Sequence, residues 1–183
     1  EGLIEFTKKM LKPFIKGKWS RATYADLFKK YAGKDVAKVK NKDDIDNIFK
    51  RKVRPKLKAP VIVVDYPKAI SPLSKSRADK AEVTERFQFI VGSSELVNGF
   101  SELNDPIDQR ERMERQEQLF RKGDEEVTRL DEDFLEALEY GMPPTCGFGF
   151  GERLFAFLAD KPLRKTQLFP LMKPKGGSTK SEE

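Results

Sequence analysis

The feature that most constrains the fold is a pair of β-type segments in the middle of the chain. Residues 87–91 and 95–100 are rich in β-branched and aromatic side chains, and Gly92, Ser93 and Ser94 separate them. Small residues between two such segments favour an antiparallel hairpin. Residues 59–66, APVIVVDY, form an apolar run next to prolines, which predicts a further, buried strand. We therefore expect a β-sheet at the centre of the fold.

The second hairpin strand carries polar side chains on a face that an ordinary core would keep apolar. Strand alternation divides residues 94–102 between two faces. One face holds Leu96, Asn98, Phe100 and Glu102, and the other holds Glu95, Val97, Gly99 and Ser101. An amide, a ring and a charge in one row are typical of the wall of a small-ligand pocket.

Gly99 has two interpretations in this strand. It allows a ligand or a neighbouring backbone to approach closely, or it bends the strand so that Glu95 turns toward the same cavity as Asn98. The alternative for the whole segment is an edge strand with one solvated face.

Helices are predicted on both sides of this sheet. Apolar spacing favours helices over residues 3–16, 24–33 and 43–53, with Ser20 or Thr23 as the cap of the second and Gly33 as its end. Asn104-Asp105-Pro106 predicts a helix start, and Gly123 can end that helix. Residues 130–140 and 152–159 predict two more helices, and residues 145–150 a strand between them.

Composition limits the chemistry of this chain. Its 183 residues are enough for one core and so for one domain, and no apolar run is long enough to span a bilayer. The single cysteine, Cys146, excludes an internal disulfide, is expected to be a small buried apolar residue, and fits a cytoplasmic setting. With no histidine, chemistry must rest on carboxylates, arginines, lysines, backbone groups or a hard cation.

Charge is distributed unevenly along the sequence. Residues 1–60 hold 18 Lys and Arg against 7 Asp and Glu, whereas residues 101–140 hold 6 against 14. A basic first third offers a phosphate-binding surface that an RNA partner would use. Solvated helix faces would produce the same charge pattern without any partner.

Five blocks of sequence carry a resemblance to a known family. ELVNGFSELNDPIDQRERM, residues 95–113, closely resembles the segment between motifs 2 and 3 of class II lysyl-tRNA synthetases. Residues 65–75, 84–92, 137–158 and 167–174 resemble further blocks in the order that the family has them. The resemblance covers residues 60–174, and residues 1–57 look like a diverged version of the helices that precede them.

The resemblance implies an α+β fold, with an antiparallel sheet of the class II aminoacyl-tRNA synthetase type flanked by helices. Motif 3 is present, whereas motifs 1 and 2 and the anticodon-binding domain are not, so we expect a sheet incomplete at its N-terminal side and exposed sheet edges. Residues 1–174 would be a partial catalytic domain. Within it, residues 1–58 would be mainly helical, with a small insertion near residues 34–58, and residues 59–174 would hold the sheet and motif 3. Residues 175–183 are expected to be a disordered tail.

The resemblance also implies roles for residues of the second hairpin strand. Glu95 would help to bind Mg²⁺ and the ATP phosphates, Asn98 and Phe100 would shape the amino-acid pocket, and Glu102 would receive the lysine ε-ammonium. A cation in a partly desolvated pocket needs a fixed carboxylate, which supports the role of Glu102 independently. Pairing of Glu102 with a resident Lys or Arg is the alternative.

Arg153 takes the position of the motif 3 arginine and would lie against the adenine ring or the triphosphate, with Gly149 and Gly151 beside the nucleotide. Two departures from the family pattern bear on this part of the site. Gln88 stands where a second metal-binding carboxylate is common, which should lower the affinity for Mg²⁺. Gly151 leads directly into Glu152, so motif 3 is one residue shorter than usual.

The function that the resemblance implies is that of a lysine-tRNA ligase, with lysine, ATP and tRNA(Lys) as substrates, Mg²⁺ as the cofactor, and a cytoplasmic homodimer as the full-length enzyme. We expect the isolated chain to have little activity, because motif 2 supplies the arginine at the reacting phosphate. Three alternatives stay open. They are a paralogue that modifies an elongation factor, which Ser101 and Asn104 disfavour, an aspartate or asparagine enzyme, and a non-catalytic RNA-binding or regulatory module.

Overall fold

The structure, a computed structural model, describes residues 1–120 and 130–170. Its helices are α1 Gly2–Leu11, α2 Tyr24–Ala32, α3 Lys42–Ile48, α4 Pro106–Phe120, α5 Glu132–Glu139 and α6 Glu152–Leu158. Its strands are β1 Ser20–Thr23, β2 Val61–Pro67, β3 Val83–Val91, β4 Ser94–Ser101 and β5 Cys146–Phe150. Helix α3 continues into a π-helical turn, Phe49–Val53, and a 3-10 turn, Arg54–Lys56. Among these helices, none is long and apolar enough to cross a membrane.

The five strands form one sheet in the order β1-β2-β3-β4-β5, which confirms the expected α+β fold. Strands β2 to β5 pair antiparallel, whereas β1 runs parallel to β2. Strand β1 was not predicted, since Ser20–Thr23 is short and polar and forms a strand only because the backbone of β2 lies beside it. The regular elements of residues 1–58 are therefore helical apart from the edge strand β1.

Local signals set three helix ends as the sequence predicts, but α1 ends at Leu11 and not at residue 16, because Pro13 lacks the N–H that would continue the helix. The Thr23 hydroxyl accepts a hydrogen bond from the Asp26 backbone N–H at 3.1 Å, and Gly33 ends α2 with φ of 67°. The Asp105 carboxylate accepts from the Ile107 N–H at 2.9 Å and so caps α4 ahead of Pro106. The predicted helix end at Gly123 and the predicted tail, residues 175–183, lie outside the described residues.

The hairpin turn is tighter than the three residues that the sequence suggests. Val91 pairs with Ser94, so that only Gly92 and Ser93 form the loop, with φ of 56° and 69°. Positive φ at both positions is the geometry of a two-residue turn that matches the twist of a hairpin. The turn is also tied to the segment before β2, because the Ser93 N–H donates to the Leu57 carbonyl at 2.8 Å.

The sheet separates two apolar cores. One face packs against α1 and α6, and its buried members include Ile4, Leu11, Ile62, Val64, Phe87, Phe89, Val97 and Leu154. The other packs against α2, α3 and the turn after α3, and its buried members include Tyr24, Phe28, Ile45, Phe49, Val53, Leu57, Val61, Val63 and Ile90. Since alternate residues of β2 enter opposite cores, β2 is buried on both sides, as its continuous apolar run predicts.

A β-bulge changes which way Glu95 points. Phe89 pairs with Val97 and Ile90 pairs with Glu95, so Leu96 is the extra residue on β4. One extra residue shifts the alternation, which places Glu95 on the same face as Asn98 instead of the opposite face. The strand does bend Glu95 toward Asn98, as one interpretation of the sequence held, but the bulge at Leu96 is the cause and Gly99 is not.

Gly99 serves packing instead. A Cβ at this position would lie 2.5 Å from Cζ of Phe87 and 2.8 Å from Cβ of Phe148. The glycine therefore lets the Phe87 ring approach the backbone of β4 closely inside the core, so the close approach involves a ring of the protein.

We predict that Gly99→Ala lowers the free energy of unfolding by about 1–3 kcal/mol, because the new methyl group overpacks the core. Urea denaturation followed by circular dichroism measures this change. Gly2→Ala is the control, since a Cβ at Gly2 meets nothing within 4 Å and alanine favours helix α1. Equal stability of the two variants would contradict the packing role of Gly99.

Candidate functional site

The predicted site residues lie in two rows that cross β3, β4 and β5. Gln88 pairs with Asn98, and Asn98 pairs in turn with Gly149. Arg86, Phe100 and Gly147 form the adjacent row in the same way. Paired residues of neighbouring strands point to one side of a sheet, so both rows share one face.

A cavity of about 440 Å³ lies over this part of the sheet. Its lining brings together five of the predicted site residues, and the full set is Glu95, Leu96, Asn98, Gly149, Gly151, Glu152, Arg153 and Leu163. An adjoining cavity of about 340 Å³ is lined by Gln88 and shares Glu95 with the first. Glu95 therefore stands between the predicted nucleotide contacts and Gln88.

Gly149 and Gly151 leave the floor of the cavity of about 440 Å³ open, and Gly147 has similar space above it. A Cβ at Gly149 or Gly151 would meet nothing within 4 Å, and a Cβ at Gly147 would meet only Oε1 of Glu102, at 3.8 Å. The packing of the described residues therefore does not require glycine at these three positions. Open space above a glycine strand leaves room for a ligand to approach the backbone.

Asn98 has a fixed orientation. Its Oδ1 accepts a hydrogen bond from Nε of Arg86 at 2.8 Å and a longer one from Nε2 of Gln88 at 3.4 Å. Because a guanidinium only donates, the side-chain oxygen of Asn98 must face Arg86. The Asn98 NH₂ group then remains to donate to a ligand, such as a carboxylate.

Arg86 is a residue of the candidate site that the sequence analysis missed. Its Nη1 donates to the Ile70 carbonyl at 2.9 Å and to the Ser71 hydroxyl at 3.2 Å, and its guanidinium lies 4.8 Å from the centre of the Tyr66 ring. These contacts hold Arg86 in place, and Arg86 in turn orients Asn98. The available signal was strand alternation, which puts Arg86 on the same face as Gln88.

The side-chain oxygen of Gln88 already accepts one hydrogen bond from within the protein. Its Oε1 accepts a hydrogen bond of 2.6 Å from the Tyr66 hydroxyl. Burial raises the pKa of Tyr66 well above its usual value, so the hydroxyl stays protonated and keeps donating. One lone pair of the Gln88 carbonyl oxygen is left for a metal ion.

The residues present supply a modest set of ligands for Mg²⁺. Within residues 1–120 and 130–170, no three His, Cys, Asp or Glu side chains lie close enough together to hold a metal ion. The Glu95 carboxylate has no hydrogen bond or ion pair to any described residue and is free to bind a cation. One carboxylate and one amide oxygen suit Mg²⁺, which usually takes few protein ligands and completes its shell with water and substrate phosphates.

Glu102 lies just beyond the end of β4. Its backbone N–H donates to the Thr145 carbonyl at 2.9 Å, and an isolated bridge pairs Glu102 with Ser74. Its carboxylate receives no hydrogen bond or ion pair from the part of the chain that the structure describes, so pairing with a resident cation is not seen there. Desolvation raises the pKa of Glu102 above its usual value.

Phe100 and Cys146 line a different cavity, of about 590 Å³, which the predicted nucleotide residues do not line. Phe100 is partly buried and pairs with Gly147. Cys146 is exposed, so the prediction of a buried position was wrong. It is the first residue of β5, where the strand is paired on one side only among the described residues.

Arg153 has the exposure that a ligand contact requires. It lies in the first turn of α6, its side chain is exposed, and it forms no hydrogen bond or ion pair with a described residue. Gly151 is the residue between β5 and α6, so the strand leads directly into the helix and brings Arg153 next to Gly149. The shortened motif 3 is thus accommodated without a loop.

Arg112, a buried arginine on α4, holds the loop of residues 71–76, which lies beside Arg86 and Glu102. All five N–H groups of the Arg112 guanidinium donate, at distances of 2.6–3.2 Å. The acceptors are the Asp108 carboxylate, the carbonyls of Ser71 and Ser74, and the Ser76 hydroxyl. Ser71 also contacts Arg86, and Ser74 pairs with Glu102, so Arg112 holds the loop that touches both of these residues.

Sequence comparison identifies the family of this chain. The sequence profile of the family described as tRNA synthetases class II (D, K and N) matches residues 1–173. The chain belongs to this class II tRNA synthetase family. Its five-stranded, mostly antiparallel sheet with flanking helices is consistent with the class II synthetase fold.

Several relatives of this class II synthetase chain carry the name lysine–tRNA ligase. The protein of Moorella thermoacetica is 42% identical over an alignment of 180 positions, which covers 86% of this chain and 37% of the relative. That of Christiangramia forsetii is 51% identical over 132 residues, 71% of this chain and 23% of the relative. That of Prochlorococcus marinus is 40% identical over an alignment of 190 positions, gaps included, which covers 90% of this chain and 37% of the relative. The chain thus spans well under half the length of these relatives.

We predict that Arg112→Met lowers the free energy of unfolding by about 3 kcal/mol, because Asp108 and two loop carbonyls lose their donors. Hydrogen bonds from Arg112 and then Lys68 hold the pKa of Asp108 at about 2, below its usual value. This stabilisation is complete above the unfolded pKa near 4 and is lost as the pH falls through 2. Urea titrations should therefore show the difference between wild type and variant narrowing from pH 4 to pH 2. A difference that does not vary with pH would contradict the assignment.

Proposed function

We propose that this chain forms the amino-acid- and nucleotide-binding part of a lysine–tRNA ligase. The observation that carries the proposal is the carboxylate of Glu102, which is partly buried, has no cationic partner among the described residues, and follows the strand that presents Asn98. A desolvated carboxylate without a counter-ion favours a cationic ligand. The relatives named lysine–tRNA ligase support the same substrate.

Lysine fits the row of residues along β4. Asn98 and Glu102 are four residues apart, which is about 13 Å along a strand. In the proposed complex, the Asn98 NH₂ group donates to the polar end of lysine, Phe100 lies beside its methylene groups, and Glu102 receives its ε-ammonium. Aspartate would place a negative charge near Glu102 and asparagine would leave Glu102 unpaired, so this pocket disfavours both.

ATP fits the cavity of about 440 Å³. In the proposed complex, Gly149 and Gly151 leave room for the nucleotide, and Arg153 stacks on the adenine or contacts the triphosphate. Glu95, with Gln88 as a weaker ligand, would hold Mg²⁺. When bound, Mg²⁺ supplies charge neutralisation at the phosphates.

The reaction that this arrangement supports is activation of lysine. The lysine carboxylate attacks the α-phosphate of ATP, pyrophosphate leaves, and the lysyl group then passes to the end of tRNA. Glu102 and Asn98 orient the nucleophile, and Arg153 stabilises negative charge on the nucleotide, so the contribution of these residues is positioning and electrostatics. No histidine is needed for these steps.

We predict that lysine-dependent exchange of pyrophosphate into ATP needs more than this chain. The purified chain should show little exchange. A fusion to the part of the Moorella thermoacetica ligase that precedes the matched region should show exchange, because the family's motif 2 supplies an arginine at the reacting phosphate, a contact worth about 3 kcal/mol.

Aspartate and asparagine in place of lysine are the controls for this measurement. Exchange in neither protein would overturn the proposed activity. Exchange without transfer of lysine to tRNA would favour the paralogue that modifies an elongation factor.

We predict that Glu102→Gln raises the KM for lysine in the active fusion about 30-fold or more, since an ammonium ion loses its charged partner. Because the pKa of Glu102 is raised, the affinity of the wild type for lysine should increase as the pH rises through that pKa and then level off. The variant should show no such dependence. Glu85→Gln, an exposed change on β3, is the control, and an equal effect of both substitutions would contradict the role of Glu102.

A further inference from the structure

The segment that follows α3 has a high density of positive charge. Six of the nine residues from position 50 to position 58 are basic, and the chain has no acidic residue between Asp46 and Asp65. These six are Lys50, Arg51, Lys52, Arg54, Lys56 and Lys58. The charge is therefore concentrated at one place in the fold.

This segment is fixed to the body of the protein. Phe49, Val53 and Leu57 recur every fourth residue and are all at least 94% buried in the core that covers β2. The hairpin turn holds the end of the segment, because Ser93 donates through its hydroxyl to the Pro55 carbonyl at 3.2 Å. The basic side chains thus project from a backbone that packing holds in place.

Most of these charges have no partner within the described residues. Lys50 pairs with Asp46, but Arg51, Lys52, Arg54, Lys56 and Lys58 form no ion pair there. We call these five residues the basic ridge. All are exposed except Arg54, which is partly exposed. Adjacent like charges repel one another, and a bound polyanion relieves that repulsion.

The basic ridge begins at the candidate site. Lys50 and Arg54 line the cavity of about 340 Å³ that Gln88 and Glu95 also line. From Arg51 to Lys58 the ridge extends about 10–14 Å at the rise of helical turns. Such a length suits a row of phosphates in a nucleic acid strand better than one phosphate group.

We propose that the basic ridge binds the phosphate backbone of an RNA whose end enters the candidate site. This inference rests on the proposed function, because a transfer of lysine to tRNA requires an RNA end beside the activated amino acid. It adds the surface that the RNA follows. The ridge contacts are electrostatic and carry no base sequence information.

Charge reversal on the ridge tests this proposal with the chain itself. The triple variant Arg51→Glu, Lys52→Glu, Lys56→Glu changes three exposed side chains. The control variant Lys9→Glu, Lys12→Glu, Lys16→Glu makes the same change of net charge in the α1 region, whose apolar residues pack on the opposite face of the sheet. Circular dichroism and thermal melting establish that all three proteins fold alike.

Binding of a fluorescent RNA hairpin with a single-stranded 3′ end is measured by anisotropy over a range of KCl concentrations. We expect the ridge variant to raise Kd about tenfold or more and to reduce the slope of log Kd against log salt by about three. The control variant should stay within about threefold of the wild type. Equal weakening by both variants, or no RNA binding by the wild type, would overturn the proposal.

Two further outcomes separate the alternatives. If the ridge variant loses binding to phosphatidylserine vesicles but keeps RNA binding, the ridge is a membrane contact and the proposal fails.

In the active fusion, the ridge variant should keep lysine-dependent pyrophosphate exchange and lose transfer to tRNA. Absence of exchange in the unmodified fusion, with salt-dependent RNA binding intact, would overturn the proposed function and leave the ridge as an RNA contact.

Discussion

Pairing of β3 with β4, including the bulge at Leu96, is the constraint on which the candidate site depends. A regular hairpin would direct Glu95 into the core that packs on α1, where an unpaired carboxylate would cost several kcal/mol. The bulge turns Glu95 to the face of Asn98 and lets Leu96 and Val97 both enter the core. One irregularity thus satisfies packing and places a charge at the cavity.

The polar groups around the site fall into two kinds. Arg86 and Arg112 are engaged by neighbouring oxygens, and these contacts hold the loop and the side chain of Asn98. Glu95 and Glu102 have no partner among the described residues, although both are partly buried. Arginines that are satisfied internally, together with carboxylates that are left free, support the proposal of a cationic ligand and a metal ion at this site.

The basic ridge shows the same distinction on a larger scale. Its backbone is fixed by Phe49, Val53 and Leu57, whereas its charged groups are left without partners in the part of the chain described here. A backbone that is already held in place loses little conformational freedom when a polyanion binds. Charged side chains without partners on such a backbone therefore bind a polyanion more strongly. Positive charge beside the proposed lysine site is consistent with the proposal of separate surfaces for lysine and for RNA.

The sequence by itself determined the hairpin, the helix caps at Thr23 and Asp105, the buried strand β2 and the family. These depend on local patterns or on sequence blocks that resemble those of the family. Only the tertiary structure decided the parallel strand β1, the bulge at Leu96, the exposure of Cys146 and the role of Arg86. Each of these depends on which backbone lies beside a residue. Strand register and hydrogen-bond partners that are distant in sequence set them, and no local pattern encodes that information.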